Sequence, residues 1–284
     1  MSWLKTIGWI LGGILLAASV VLLLGSLRWQ RTSAEVADLL HERGSQAAGA
    51  FSHEDLDGLP TPVARYLRHV LREGQRLIRS VELVQEGEFR IGTDENSWRP
   101  FTATHRAVIN PPGFMWDARI FMAPLLSVRV RDAYVGGGGS MHGEILAVYP
   151  LIDAKDKPEL DSGALQRYLA EAVWFPTALL PSQGVTWEGI DDRTARATLT
   201  DSRTTVSLEF RFNDAGEIIG SFATGRFREV DGSYVATPWG GRYGGYEERQ
   251  GMRIPLEGEV EWHLPDRTLP YWRGRIVEAR YDSG

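Results

Sequence analysis

Glu171, His142 and Asp153 are the side chains best suited to acid–base chemistry. Glu171 lies three residues before Trp174 in Glu171-Ala172-Val173-Trp174, on one side of a helix. A carboxylate buried under that aromatic lid would keep its proton at a raised pH. The bland reading is a solvated or capping glutamate beside a core tryptophan, since helix charges usually face water. His142 and Glu144 would share a strand face, and with Asp153 they form a weak polar site. An enzyme built on these groups requires Glu171, His142 and Asp153 to meet in one cleft. Proton transfer needs contact near ~3 Å or one bridging water.

Metal and nucleotide chemistry find little support. His142-Gly143-Glu144 shares H-x-E with zinc deaminases, but those also need cysteines, and the chain has none. The histidines make neither H-x-H nor H-E-x-x-H, and Asp55-Leu56-Asp57-Gly58 is too short for a calcium loop. Gly136 to Gly139, followed by Ser140-Met141-His142-Gly143, fits neither G-x-G-x-x-G nor G-x-S-x-G and reads as a hairpin turn. No metal or cofactor is expected.

For binding, the run Thr237-Pro238-Trp239-Gly240-Gly241-Arg242-Tyr243-Gly244-Gly245-Tyr246 stands out. Read as a loop, its glycines give freedom, Trp239, Tyr243 and Tyr246 give flat apolar faces, and Arg242 gives a cation. Such a loop suits the mouth of a ligand site; a hairpin packing its aromatics on a sheet edge is the plainer account. Trp174 and Trp116 complete the candidate ligand-binding set. Trp116, Trp187, Trp239, Trp262 and Trp272 also invite a sugar-stacking reading, although most buried tryptophans only pack.

The elements that position these residues follow from periodicity. Thr32-Ser33-Ala34-Glu35 reads as a capping box opening a helix with Val36, Leu39 and Leu40. A polar linker from Gly44 to Gly58 leads to a second helix at Thr61-Pro62, whose Val63, Tyr66, Leu67, Val70 and Leu71 share one face. From Val81 the period becomes 2, predicting about ten or eleven antiparallel strands. One helix from Asp161 to about Leu180 interrupts them, with Pro176 expected to kink or shorten it. The expected division is an anchor over 1–31, a helical segment over 32–80 and an antiparallel β domain over 81–284. The fold class is α+β, mainly antiparallel β: a curved sheet, or half-barrel, wrapped around a few helices.

Ile7 to Leu27 carries no charge over twenty-one residues, about 31 Å as a helix against a hydrocarbon core of roughly 30 Å. Trp3 and Trp29 flank the run, and Lys5, Arg28 and Arg31 bound it. It reads as a single-pass anchor in the lipid bilayer. A cleaved signal peptide is the rival, yet Val20 to Leu24 continue the run past the small residues Ala17-Ala18-Ser19. A short tail before a long domain fits a signal anchor that places the domain outside the cytoplasm, whereas Arg28 and Arg31 pull weakly the other way. The chain is −6 overall and its three N-terminal bases precede every acid, so the remainder is more acidic still. That balance repels phosphate backbones and argues against nucleic acid.

The stretch Leu59-Pro60-x-Pro62-Val63-x-x-Tyr66-Leu67, the run from Arg167 to Leu180 and the closing strands resemble a bacterial family known only as a domain of unknown function, over most of residues 55–282. In strand order the chain is also similar to the LolA/LolB-like lipoprotein carriers. That likeness implies a curved sheet and lid helices enclosing an apolar cavity for acyl chains. The leading expectation is therefore a membrane-anchored protein of the cell envelope that binds a lipid or other apolar ligand. A protein–protein scaffold with an unspecified partner, and an envelope enzyme using Glu171, His142 and Asp153, are the alternatives.

Overall fold

The computed structural model describes residues 2–44, 49–92, 94 and 97–283; positions 45–48 of the expected linker lie outside the described residues. Among the described residues three α-helices accompany thirteen strands: α1 (Ser2–Arg43), α2 (Thr61–Val70) and α3 (Pro158–Glu171). The strands are β1 (Ser80–Arg90), β2 (Trp98–Val108), β3 (Gly113–Ala123), β4 (Leu126–Val135), β5 (Gly138–Ile145) and β6 (Tyr149–Lys155) before α3. After it come β7 (Val185–Asp191), β8 (Thr194–Asp201), β9 (Thr204–Phe212), β10 (Ile218–Val230), β11 (Ser233–Arg249), β12 (Met252–His263) and β13 (Thr268–Asp282). All belong to one antiparallel sheet in the order β6-β5-β4-β3-β2-β1-β13-β12-β11-β10-β9-β8-β7. The chain is thus an α+β protein built on one open antiparallel sheet.

The sheet curls around α3. On one side α3 touches β3, β4 and β5, and on the other β9 and β10. The two arms also meet directly: the Tyr134 hydroxyl donates to Asp201 at 2.7 Å, and Gly137 lies so close to Ser202 that a Cβ there would sit 2.5 Å from its hydroxyl. Arg226 of β10 donates to the Gly163 carbonyl at 3.2 Å, tying α3 to the far arm. The concave face carries the main core, with α2 closing the other half through Tyr66 against Phe212.

Two expectations change. The helix expected to Leu180 ends as α3 at Glu171, and short 3-10 turns at Ala172–Trp174, Pro176–Leu179 and Pro181–Gln183 replace the rest. Pro176 and Pro181 remove the N–H groups that would continue the ladder. The freed carbonyls are satisfied from the sheet: Tyr243 donates to Ala170 O at 3.0 Å, Tyr281 to Trp174 O at 2.7 Å, and Trp187 Nε1 to Leu179 O at 2.9 Å.

The second change concerns the N-terminus. Thr32 and Ser33 cap nothing, because α1 runs unbroken through them. Their hydroxyls instead accept from Arg131 at 3.1 and 2.9 Å. From Gly25 onward α1 lies on the convex face, burying Trp29, Ser33 and Leu40 at helical spacing. Trp29 Nε1 donates to Asp117 at 3.1 Å, while Leu40 joins a satellite cluster with Val108, Met115 and Ala133. Residues 3–24 leave the domain with exposed side chains, and α1 is long and apolar enough to cross a membrane.

Replacing Trp29 by alanine removes the largest buried side chain of this docked stripe. Trp29→Ala lowers the unfolding free energy of the full chain in detergent by about 3 kcal/mol. Trp9→Ala, at a site 83% exposed, leaves it unchanged. Equal effects in a denaturant titration would show that α1 does not dock.

Candidate functional site

Antiparallel pairing sorts the candidates by face. His105 on β2 pairs with Trp116 on β3, which pairs with Asp132 on β4, which pairs with Met141 on β5. This row looks into the concavity, where α3 lays Arg167 and Glu171 over it. Arg167 donates to Glu171 at 2.8 Å and to Asp132 at 2.6 Å, and its guanidinium stacks on Phe114 and Trp116 at 5.0 and 5.1 Å. Burial alone would pull the Arg167 pKa down, but the two carboxylates hold it above its ordinary value. Burial pushes Glu171 up against the opposing pull of Arg167. Burial, then the Arg167 charge, lowers His105 from 6.5 to about 3, so its ring is neutral at physiological pH. His105 Nε2 stands 3.6 Å from Glu171 Oε2, too far for a hydrogen bond.

Several buried polar atoms around this row lack a hydrogen-bond partner: both ring nitrogens of His105, Glu171 Oε2, Gln85 Nε2, and the indole nitrogens of Trp174 and Trp272. Each such group costs about 1–3 kcal/mol relative to a satisfied one. The other atom of the Gln85 amide accepts from Trp116 Nε1 at 2.9 Å. Trp272 lies against two paired glycines, Gly274 and Gly258, on which a Cβ would meet its ring at 2.9 and 3.2 Å. Without side chains those positions let the indole lie flat on the backbone.

His142 and Asp153 lie on the opposite, convex face. His142 stacks on Trp29 at 5.7 Å, with its Nε2 2.9 Å from Glu144 and its Nδ1 3.6 Å from Asp153. The structure therefore brings His142 to Asp153 but separates both from Glu171 by the thickness of the sheet. The imidazole beside Glu171 belongs to His105.

The aromatic-glycine run is strand, not loop: Thr237 to Tyr246 falls wholly within β11. Trp239 is buried with Arg226 stacked on it, and its nitrogen donates to Tyr271 at 3.0 Å. Tyr243 serves the carbonyl at the end of α3, and Tyr246 donates to Ile218 O at 2.8 Å. Arg242 points the other way, pairing with Glu259 and Glu261. Trp116 and Trp174 are likewise in the core. Gly136 and Gly137 form the β4–β5 turn with positive φ and lead into a strand, not the helix N-terminus a phosphate loop requires.

Part of the concave face stays uncovered. Beyond α3, Met122, Val128, Met141 and Ile152 point inward yet are only partly buried, bordering Val130 and Ile120. Asp132 pairs directly with Met141, so this apolar patch abuts the Arg167 cluster. Two cavities, of about 290 and 520 Å3, lie among charged residues such as Glu82, Arg106 and Arg280, or Glu86, Glu88 and Arg273.

The family profile of DUF6920 matches residues 57–281, spanning the described core from α2 to β13. The chain belongs to this family of unknown function. It is also 25% identical over 150 residues to a galactokinase of Thermotoga neapolitana, covering 52% of this chain. The chain spans about two-fifths (41%) of the length of the curated relatives it matches. Among solved structures it is similar to a LolA superfamily protein of Nitrosomonas europaea. That likeness has a TM-score of 0.35 at 10% identity, covering 81% of this chain and 94% of the other.

Sequence periodicity held the missed residues in view. Gln85, His105 and Asp132 each occupy the buried phase of a strand otherwise filled by Leu83, Ala103, Ala107, Val130 and Tyr134. Arg167 sits one helical turn before Glu171.

Two outcomes follow. Arg167→Met leaves Asp132 and Glu171 buried without their cation and destabilises the chain by about 3 kcal/mol, read from denaturant unfolding. His105 takes up a proton near 6.5 when unfolded but only near about 3 when folded. The unfolded state therefore binds more protons between those values, and stability falls as pH drops through the window. Glu171, shifted up, acts oppositely by losing stability as pH rises above its ordinary 4.5. Nitrogen NMR of the His105 ring at pH 5 shows the neutral form, and His105→Phe flattens the acid-side stability loss.

Proposed function

We propose that this chain is a membrane-tethered protein that binds an amphiphilic, lipid-like molecule on the open part of its concave sheet. The observation that carries the reading is the half-covered patch of Met122, Val128, Met141 and Ile152 beside the largely buried Arg167–Asp132–Glu171 cluster. The patch offers an apolar chain a surface already facing inward, and methionines adapt to irregular shapes. A polar end group would lie toward Arg167, whose stacking on Phe114 and Trp116 fixes its position. Trp174, Trp239, Tyr243 and Tyr246, first suited to that role, are occupied in internal packing, so the ligand surface shifts to β3–β6.

The tether is the first part of α1. Its docked second half is continuous with its apolar first half, and this supports an anchor over a leader that is cut away. An enzyme using Glu171, His142 and Asp153 draws no support from this geometry, since the sheet stands between them.

A diazirine-bearing fatty acid, irradiated in membranes holding the full chain, should label peptides containing Met122, Val128 or Met141. Val128→Ser should reduce that labelling about tenfold, equivalent to about 1.4 kcal/mol of binding, with the thermal transition retained. Labelling confined to residues 7–27 would mean that only the anchor meets lipid.

A further inference from the structure

We propose that the β3–β4 and β5–β6 turns form a second contact with the bilayer, entering its interface beside α1. The inference rests on reading α1 as the membrane tether. Outside α1, the three most exposed large apolar side chains among the described residues are Leu125 at 97%, Tyr149 at 66% and Leu151 at 54%. Leu125 lies in the β3–β4 turn and Tyr149 and Leu151 within the first three residues of β6, with Leu126 and Val148 exposed beside them. Elsewhere outside α1 the large apolar side chains of the described residues are each less than half exposed, whereas the most exposed ones gather here at one end of the sheet. The Leu146 N–H donates to Ser127 O at 2.8 Å and joins the two turns.

What covers this tip follows from where α1 leaves the domain. Gly25 packs so closely on the β5–β6 turn that a Cβ there would lie 2.5 Å from Ala147 O and 2.8 Å from Val148. Gly25 falls in the last turn of the uncharged run Ile7 to Leu27. That run matches a hydrocarbon core of roughly 30 Å, so the level of Gly25 is the boundary between acyl chains and headgroups. The turn packed on Gly25 sits at the same depth. Tyr149 is then placed where amphipathic rings concentrate, and Leu125 and Leu151 face acyl chains instead of water.

The height is set by a rigid connection. No proline interrupts α1, which is helical from Ser2 to Arg43, and Trp29, Ser33 and Leu40 fasten its second half along the convex face. Arg28 bonds Glu144 of β5 and the Ala147 carbonyl, so the exit point is pinned to the turn itself. The domain cannot lift its tip off the bilayer without undocking α1. The contact also turns the β3–β6 arm of the concave sheet toward the membrane.

Because the chain has no cysteine, single labels can be placed cleanly. Full-length Leu125→Cys, Tyr149→Cys, Leu16→Cys and Asp57→Cys, each carrying an environment-sensitive nitrobenzoxadiazole, are reconstituted into vesicles of three parts phosphatidylcholine to one of phosphatidylglycerol. Spin-labelled lipid with its nitroxide near the headgroup should quench the probes at 125 and 149 about twofold, the depth expected of interfacial side chains. The probe at 57 should stay unquenched, and that at 16 should respond to a nitroxide at the chain end. Quenching at 16 with 125 and 149 behaving like 57 overturns the second contact while leaving the tether intact. An unquenched probe at 16 overturns the tether, and the inference with it.

Discussion

A thirteen-stranded sheet with one apolar face must hide that face, and the described chain has two short helices with which to do it, α3 at the centre and α2 over the other half. The curl of the sheet around α3 is the constraint from which the rest follows. Both arms have to reach the same fourteen residues, so the sheet bends until β4–β5 and β8–β9 touch through Tyr134 and Asp201. A helix surrounded in this way has little solvent-facing side. Arg167 and Glu171, which would ordinarily point to water, end up largely buried and are neutralised from within.

That arrangement explains the polar row on the concave face. Asp132, buried at a strand position, completes the charge balance of Arg167. The same enclosure keeps His105 neutral and holds a proton on Glu171 more tightly. It also explains one tyrosine on β11 and one on β13. A helix broken at Glu171 by the approaching Pro176 leaves carbonyls inside the core, and hydroxyls from Tyr243 and Tyr281 reach them. Tyr243, which resembles part of a ligand clamp in sequence, is thus committed to finishing a helix end.

The convex face has a different logic. Over β1, β12 and β13 it carries opposite charges in facing pairs, such as Arg273 with Glu88 and Arg280 with Glu82, and stays wet. Over β3 to β5 it receives the second half of α1, using Asp117 and Arg131 to hold Trp29 between them. One helix is therefore both part of the folded domain and the element that leaves it. The domain hangs from a rigid stem, not a linker, and its Leu125 and Tyr149 tip lies where that stem departs.

The sequence by itself determined the apolar N-terminal run, the switch from period 3.6 to period 2 at Val81, the antiparallel hairpins and the curved-sheet class. Each depends on residues close along the chain, where alternation and turn chemistry act locally. Strand count was low because the glycine-rich run of β11 read as a loop, and because β6 and β7, at the two edges, carry few buried residues and so little alternation. The continuity of α1 through Thr32 was hidden because Arg131, a hundred residues away, supplies the partner that a cap would have supplied. Only the tertiary structure decided which face each strand residue meets. Pairing register put His142 and Asp153 outside and His105 and Asp132 inside, a choice made by contacts distant in sequence. It also decided that Trp239 and Tyr243 pack while Met122 and Met141 stay open, because coverage depends on where a fourteen-residue helix comes to rest across two arms.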